Sequence, residues 1–256
     1  MKRRDALKLS AALPLAATAS TSVAKKDQDR EWYELREYTI RFGSNQQLLN
    51  DYLEKALIPT LNQYNVKRVG VFREFSGDQP TKVYVLIPYT SLKDYQKVVL
   101  ELEQDEKYRQ LSQSYHAIAP EKAVYSRFDT TLYLAFEELS KMILPTEKQR
   151  FFELRTYEGY SEDAVRRKIQ MFDKEEITLF KDVKLNPVFF GKAIAGKNMP
   201  YLTYLLAFED LEERNRNWDV FIKDPRWATM SSKPEYANSV SNIIRTYLVP
   251  ATFSQL

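Results

Sequence analysis

Two short segments carry the same chemical alternation. Glu34, Arg36 and Tyr38 recur as Glu153, Arg155 and Tyr157, each set spaced by two residues. Two is the period of a β-strand, so each trio shares one strand face. A carboxylate, a guanidinium and a phenol on one face can orient a polar or anionic ligand. The same groups can instead form a closed ion-pair network, because buried charges require partners. The single histidine, His116, sits between Tyr115 and Ala117 just past a helical stretch, and the matching region near Glu235 has none. It could act as a base or a haem ligand, although a surface or packing role is the simpler reading. With no cysteine in 256 residues and one histidine, thiol catalysis, disulfides, Cys-based zinc and iron–sulfur sites and multi-His metal centres are excluded. No glycine-rich phosphate loop and no EF-hand spacing occurs, so no metal or cofactor is expected. Tyr84, Tyr89, Tyr95, Tyr201, Tyr204, Trp218 and Trp227 fall at strand and helix core spacing. Arg166-Arg167-Lys168 reads as a solvated helix face.

These groups sit in a duplicated framework. Tyr33-Glu34-Leu35-Arg36-Glu37-Tyr38 recurs as Phe152-Glu153-Leu154-Arg155-Thr156-Tyr157. Val71-Phe72 recurs as Val188-Phe189, and Asp105-Glu106-Lys107-Tyr108 as Asp224-Pro225-Arg226-Trp227. Each copy reads strand, helix, strand, strand, helix, strand. In the first, the alternating residues 32–40 form a strand. Ser44 with Gln47 makes a capping box before an apolar helical stripe, which Pro59 ends or bends. Strands follow at 66–75 and 83–89, joined by a turn over 76–80, then a helix capped by Ser91 and a strand over 124–136. The second copy gives 151–158, 161–182, 187–195, 201–208, 210–222 and 240–249. The expected fold is α+β: two tandem ferredoxin-like βαββαβ units, 31–140 and 150–256, each a four-stranded antiparallel sheet with helices on one face. Apposing the bare faces closes a barrel and removes both sheet edges. Tyr33, Leu35, Phe152 and Leu154 are expected under the helices. Glu34, Arg36, Tyr38, Glu153, Arg155 and Tyr157 are then expected to line the barrel, with each arginine on the nearby glutamate.

Residues 1–24 read as an export signal. Lys2-Arg3-Arg4-Asp5-Ala6-Leu7-Lys8 precedes an apolar segment from Leu9 to Ala19, too short for the roughly 20 residues of a membrane span. The arginine pair resembles a twin-arginine motif, with cleavage after Ala19 or, preferably, Ala24. The formal net charge is +3, but residues 1–24 carry four basic residues against one acidic, so the chain from Lys25 onward is neutral. That neutrality, and the lack of a Lys/Arg-Gly-aromatic stacking pattern at Val66–Phe72, argue against nucleic acid binding.

The repeated segments, with Leu205-Leu206-Ala207-Phe208-Glu209-Asp210-Leu211 and the Trp218 to Trp227 region, resemble the NIPSNAP family of the dimeric α/β-barrel superfamily. The resemblance spans 31–256 and is looser in the first copy, where Val99 stands for Trp218 and Glu106 for Pro225. It implies tandem ferredoxin-like folds and little chemistry, since the superfamily includes cofactor-free monooxygenases, isomerases and haem-handling proteins. The expected function is binding of a small, partly apolar molecule in the barrel of an exported, periplasmic or secreted protein. The alternatives are a cofactor-independent oxygenase or isomerase, and a non-catalytic interaction protein. The outer Tyr and Trp residues leave room for a homodimer, and no stable membrane span is expected.

Overall fold

The computed structural model describes residues 29–77 and 81–256. The proposed export segment lies outside these residues, as does the end of the turn expected at 76–80.

The first half begins with β1 (Trp32–Ile40), followed by a helical stretch α1 over 46–63. Asn45, not Ser44, caps α1, its side chain accepting from the Gln47 amide. Ser44 instead donates its hydroxyl to the Val124 carbonyl and ties the helix start to the last strand. A single π-turn over Leu53–Leu57 interrupts α1. The helix runs through Pro59 to Gln63, because Pro59 lies in the first turn after that irregularity, where its missing N–H costs little. Then come β2 (Gly70–Glu74), β3 (Lys82–Tyr89), α2 (Leu92–Gln104) and β4 (Tyr125–Ala135). Ser91 caps α2 as expected.

The second half repeats this order with β5 (Phe151–Glu158), α3 over 162–182, β6 (Pro187–Ala195), β7 (Tyr201–Phe208), α4 (Leu211–Lys223) and β8 (Asn242–Pro250). The repeat extends to backbone detail. A π-turn over Phe172–Glu176 matches that of α1. Asn65 and Lys184, just past the two helix ends, both adopt positive φ, the left-handed turn that terminates a helix.

The eight strands close in the order β1-β3-β2-β8-β5-β7-β6-β4, and every pairing is antiparallel. Each half contributes four adjacent strands, and the seams are β2–β8 and β4–β6. At the second seam Gly191 faces Tyr133, whose Cβ lies 2.7 Å from where a Gly191 Cβ would be, so only glycine admits that approach. Segments beyond the last strand of each half reach across to the other. The Ile143 amide donates to Val188, and the Gln255 amide to Val69.

Three apolar clusters result. One lies between α1, α2 and the first sheet, and one between α3, α4 and the second. The third fills the barrel and draws on both halves, with Tyr33 packed 5.1 Å from Phe189 and Phe72 packed 4.9 Å from Phe152, centroid to centroid. An eight-stranded barrel is just wide enough for side chains to fill.

Candidate functional site

The barrel-filling cluster reverses the expected strand faces. Tyr33, Leu35, Phe152 and Leu154 point into the barrel. Glu34, Arg36, Tyr38, Glu153, Arg155 and Tyr157 point outward, beneath the helices. Tyr38 packs in the first helix–sheet cluster and Tyr157 in the second. The physical reason is that closure buries both faces of every strand. Alternation shows which residues share a face, but an apolar-in rule cannot say which face turns inward when both are covered. The narrow interior takes aromatic and aliphatic groups; the broader helix-covered layer accommodates the charges together with their partners.

The expected arginine contacts are present. Arg36 Nε donates to Glu34 Oε1 at 2.6 Å, and Arg155 Nε donates to Glu153 Oε1 at 2.7 Å. Around them the two halves differ. In the first, Glu34 also accepts from the Tyr89 hydroxyl at 3.0 Å. The neighbouring space holds tyrosines, with Tyr52 stacked on Tyr115 at 3.9 Å and bonded to the Tyr108 hydroxyl at 2.7 Å. His116 lies against this cluster, edge-on to Tyr115 at 5.1 Å, and is itself solvent-exposed. It belongs to the first half and is not part of the Arg155 site.

In the second half, Glu153 is fully buried and accepts from four donor atoms. Besides Arg155, these are Arg214 Nε and Nη2, both at 2.9 Å, and Trp218 Nε1 at 2.7 Å. Burial pushes the Glu153 carboxyl up, but hydrogen bonds and charge from Arg214 and Arg155 outweigh it and hold the group below the ordinary carboxylate range. Trp218 presents its ring to Arg155, whose guanidinium carbon lies 3.7 Å from the ring centroid. Arg155 Nη1 donates to the Tyr157 hydroxyl at 3.2 Å, and the Tyr204 hydroxyl donates to Tyr157 at 3.0 Å.

Beside this network a crevice of about 420 Å³ opens between the sheet and α3, α4 and the chain before β8. Trp218, Phe221, Trp227, Val240 and Ile243 supply apolar walls, and Arg155, Lys168, Glu176, Arg214 and Arg245 supply charge. Lys168 corrects the reading of 166–168 as a solvated face. Arg166 and Arg167 pair with Asp163 at the surface, whereas Lys168 is buried and bonds Glu176 at 2.6 Å. It also stands 4.4 Å from the Phe172 ring centroid. Helical spacing places these three neighbours on different sides of α3, and a run of basic letters conceals that. Arg245 is opposite Arg155 in the β5–β8 register, is exposed, and forms no ion pair among the described residues. Counting Glu153 beneath, the crevice has four cations against two carboxylates.

The barrel itself retains an opening of about 290 Å³ at one end, lined in part by Leu35, Tyr84, Thr131, Tyr133 and Tyr201. Its cations are matched: Lys82 with Glu37 at 2.7 Å, and Lys197 with Asp129. It thus lacks the unmatched positive charge of the crevice. No group of three His, Cys, Asp or Glu side chains converges on a metal-sized site among the described residues, and no helix there is long and apolar enough to cross a membrane.

Comparison with known proteins places the fold. The NIPSNAP family model matches residues 33–128 and 152–255. A "putative monooxygenase" of Lactobacillus acidophilus NCFM superposes with TM-score 0.57 at 9% identity, covering 86% of this chain and 94% of that one. A protein of the same description from Fusobacterium nucleatum gives 0.56 at 8% identity, covering 86% and 92%. A NIPSNAP family protein of unknown function from Agrobacterium tumefaciens C58 is 22% identical over 44% of this chain and 97% of its own, with TM-score 0.38. No curated protein matches.

Proposed function

Because the chain belongs to the NIPSNAP family through both of its halves, we propose that it binds a small anionic molecule with an apolar body in the crevice of the second half. The proposal moves the expected ligand from the barrel interior to the helix-covered face of the same sheet. The observation that carries it is the Arg155–Arg245 apposition. Like charges placed opposite each other on a sheet are unfavourable unless negative groups offset them, and Glu153 does so for Arg155 alone. Arg155 is satisfied by Glu153, Tyr157 and Trp218, while Arg245 is left at the mouth without a counter-ion among the described residues. A carboxylate entering between the aromatic walls would meet Arg245 first and Arg155 below it. The apolar remainder of the ligand would lie along Trp218, Phe221 and Trp227. The N-terminal motif supports a location outside the cytoplasm, where such a protein would meet small organic acids.

The test uses the exposed arginine, because its loss leaves the buried network intact. Trp218 and Trp227 both border the crevice, so aryl carboxylates should quench tryptophan fluorescence on binding. Arg245→Leu should fold normally and weaken binding by about tenfold, the loss of one charge-assisted contact of about 1.5 kcal/mol. Unchanged affinity in Arg245→Leu would remove the reading. Native mass spectrometry of protein taken from its own host should show a retained organic acid.

A further inference from the structure

The two halves provide an internal comparison at the floor of the crevice. Counting from the matched π-turns, Lys168 and Glu176 stand where the first half has Leu49 and Leu57. Leu49 and Leu57 are fully buried in an ordinary apolar cluster. The same backbone therefore accommodates leucine at both places. A buried lysine–glutamate pair is commonly no more stable than well-packed apolar residues of similar volume. Its presence in one copy only, at a helix–sheet crevice with excess positive charge, calls for a chemical reason. Glu176 is 2% exposed, and its Oε2 accepts from Lys168 at 2.6 Å. Its Oε1 forms no hydrogen bond among the described residues, and the residue borders the crevice.

We propose that Glu176 is a catalytic acid–base group that moves a proton on the bound organic acid, and that Lys168 positions it. This rests on the binding reading above and names the reaction at that same site. The substrate class is an aryl-substituted 2-oxo acid, whose C–H bond beside the carbonyl is acidic. Glu176 Oε1 takes that proton and the C–H bond breaks. The electron pair passes into the carbonyl oxygen as an enolate, which faces Arg155. The proton then returns from Glu176 to carbon, or goes to oxygen to leave the enol. The exchange conserves atoms and electrons and requires no oxidant or cofactor. Groups facing Glu176 are Lys168 from α3, Arg155 from β5 and Tyr204 from β7, and Tyr157 of β5 lies beside Lys168 and bonds Tyr204. Burial raises the Glu176 carboxyl above its ordinary value against the opposing pull of Lys168, which strengthens it as a base.

Deuterium exchange into phenylpyruvate, 4-hydroxyphenylpyruvate and indole-3-pyruvate, followed by proton NMR in D₂O, tests the step, with fluorescence binding measured alongside. The full chain should accelerate exchange at the CH₂ carbon. The rate should rise with pH as Glu176 ionises, above the ordinary carboxylate range. Glu176→Gln should bind as before and lose about 10²-fold or more in exchange rate. The double variant Lys168→Leu/Glu176→Leu, which copies the first half, should remain folded and be equally inactive. Binding without exchange in the wild type, or full exchange in Glu176→Gln, overturns the proton transfer and leaves the binding reading standing. Failure of all three acids to bind overturns both.

Discussion

Replacing Glu153 by Gln tests whether the second-half network is a dry structural unit. The carboxylate has no exposed surface and meets four donor atoms, three of them on two guanidinium groups. Glutamine keeps the volume, but it offers one oxygen and turns an amide NH₂ toward donors. Arg155 and Arg214, whose side chains are only 9% and 12% exposed, then lose their counter-ion. Breaking a buried pair from one side costs about 3–5 kcal/mol. In a chain of this size that lowers the melting temperature by about 6–20 °C. The matched control is Glu34→Gln. Its partners are one guanidinium and one phenol, so the loss should be nearer 1–3 kcal/mol. Calorimetry or circular dichroism reads both. Acid titration adds a signed check. The folded-state value of Glu153 lies below its unfolded one, so the stability it contributes is present above the unfolded value and disappears as pH falls through the folded one. Glu153→Gln should flatten that acid limb. A Glu153→Gln protein that melts within about 1 °C of wild type, or is less affected than Glu34→Gln, would refute the argument for a dry, fully engaged carboxylate.

Residues 31–140 expressed alone should aggregate or self-dimerise, because Tyr33 and Phe72 pack against the other half and the two seam strands lose their partners; a soluble, cooperatively folding monomer on sedimentation and melting would contradict this. The export reading expects a mature N-terminus near Lys25, and retention in the cytoplasm when Arg3 and Arg4 are both changed to Lys. N-terminal sequencing of envelope and cytoplasmic fractions decides it, and continued export of the double-Lys chain would remove the twin-arginine assignment.

Architecture was far more legible than orientation. The strands at 151–158, 187–195 and 201–208, read from repetition of the first copy's order, match to the residue. Repetition of the pattern implied two units, and two half-covered sheets implied closure. The Glu34–Arg36 and Glu153–Arg155 contacts followed from a two-residue spacing that brings side chains together on one face. What the letters could not carry was the direction of that face, since both sides of each strand are buried. Lys168 and Glu176 were missed for a related reason. Lys168 hides in a basic run whose neighbours are solvated, and Glu176 follows Glu175, which pairs with Lys233 at the surface. A signal did exist: aligned against the first copy, two charged residues replace two leucines on an apolar helical stripe.

Comparing the halves shows where duplication allowed change. Both copies keep the glutamate–arginine contact on the first strand, and this shared feature belongs to the framework. Among the differences at the helix–sheet interface, four gather at the crevice of the second copy: Lys168 for Leu49, Glu176 for Leu57, Arg214 for Tyr95 and Trp218 for Val99. Three introduce charge into a layer that the other copy fills with aliphatic and aromatic groups. The fourth supplies both a donor to Glu153 and a ring for Arg155. Lys168 or Glu176 alone would leave a buried charge without its partner, at a cost of about 3–5 kcal/mol. Together, Arg214 and Trp218 satisfy Glu153, and Lys168 and Glu176 satisfy each other. The first half, packed with tyrosines over the same sheet position, closes the barrel and covers the inner face of its partner half. That division lets the second copy carry an expensive polar crevice without losing the fold.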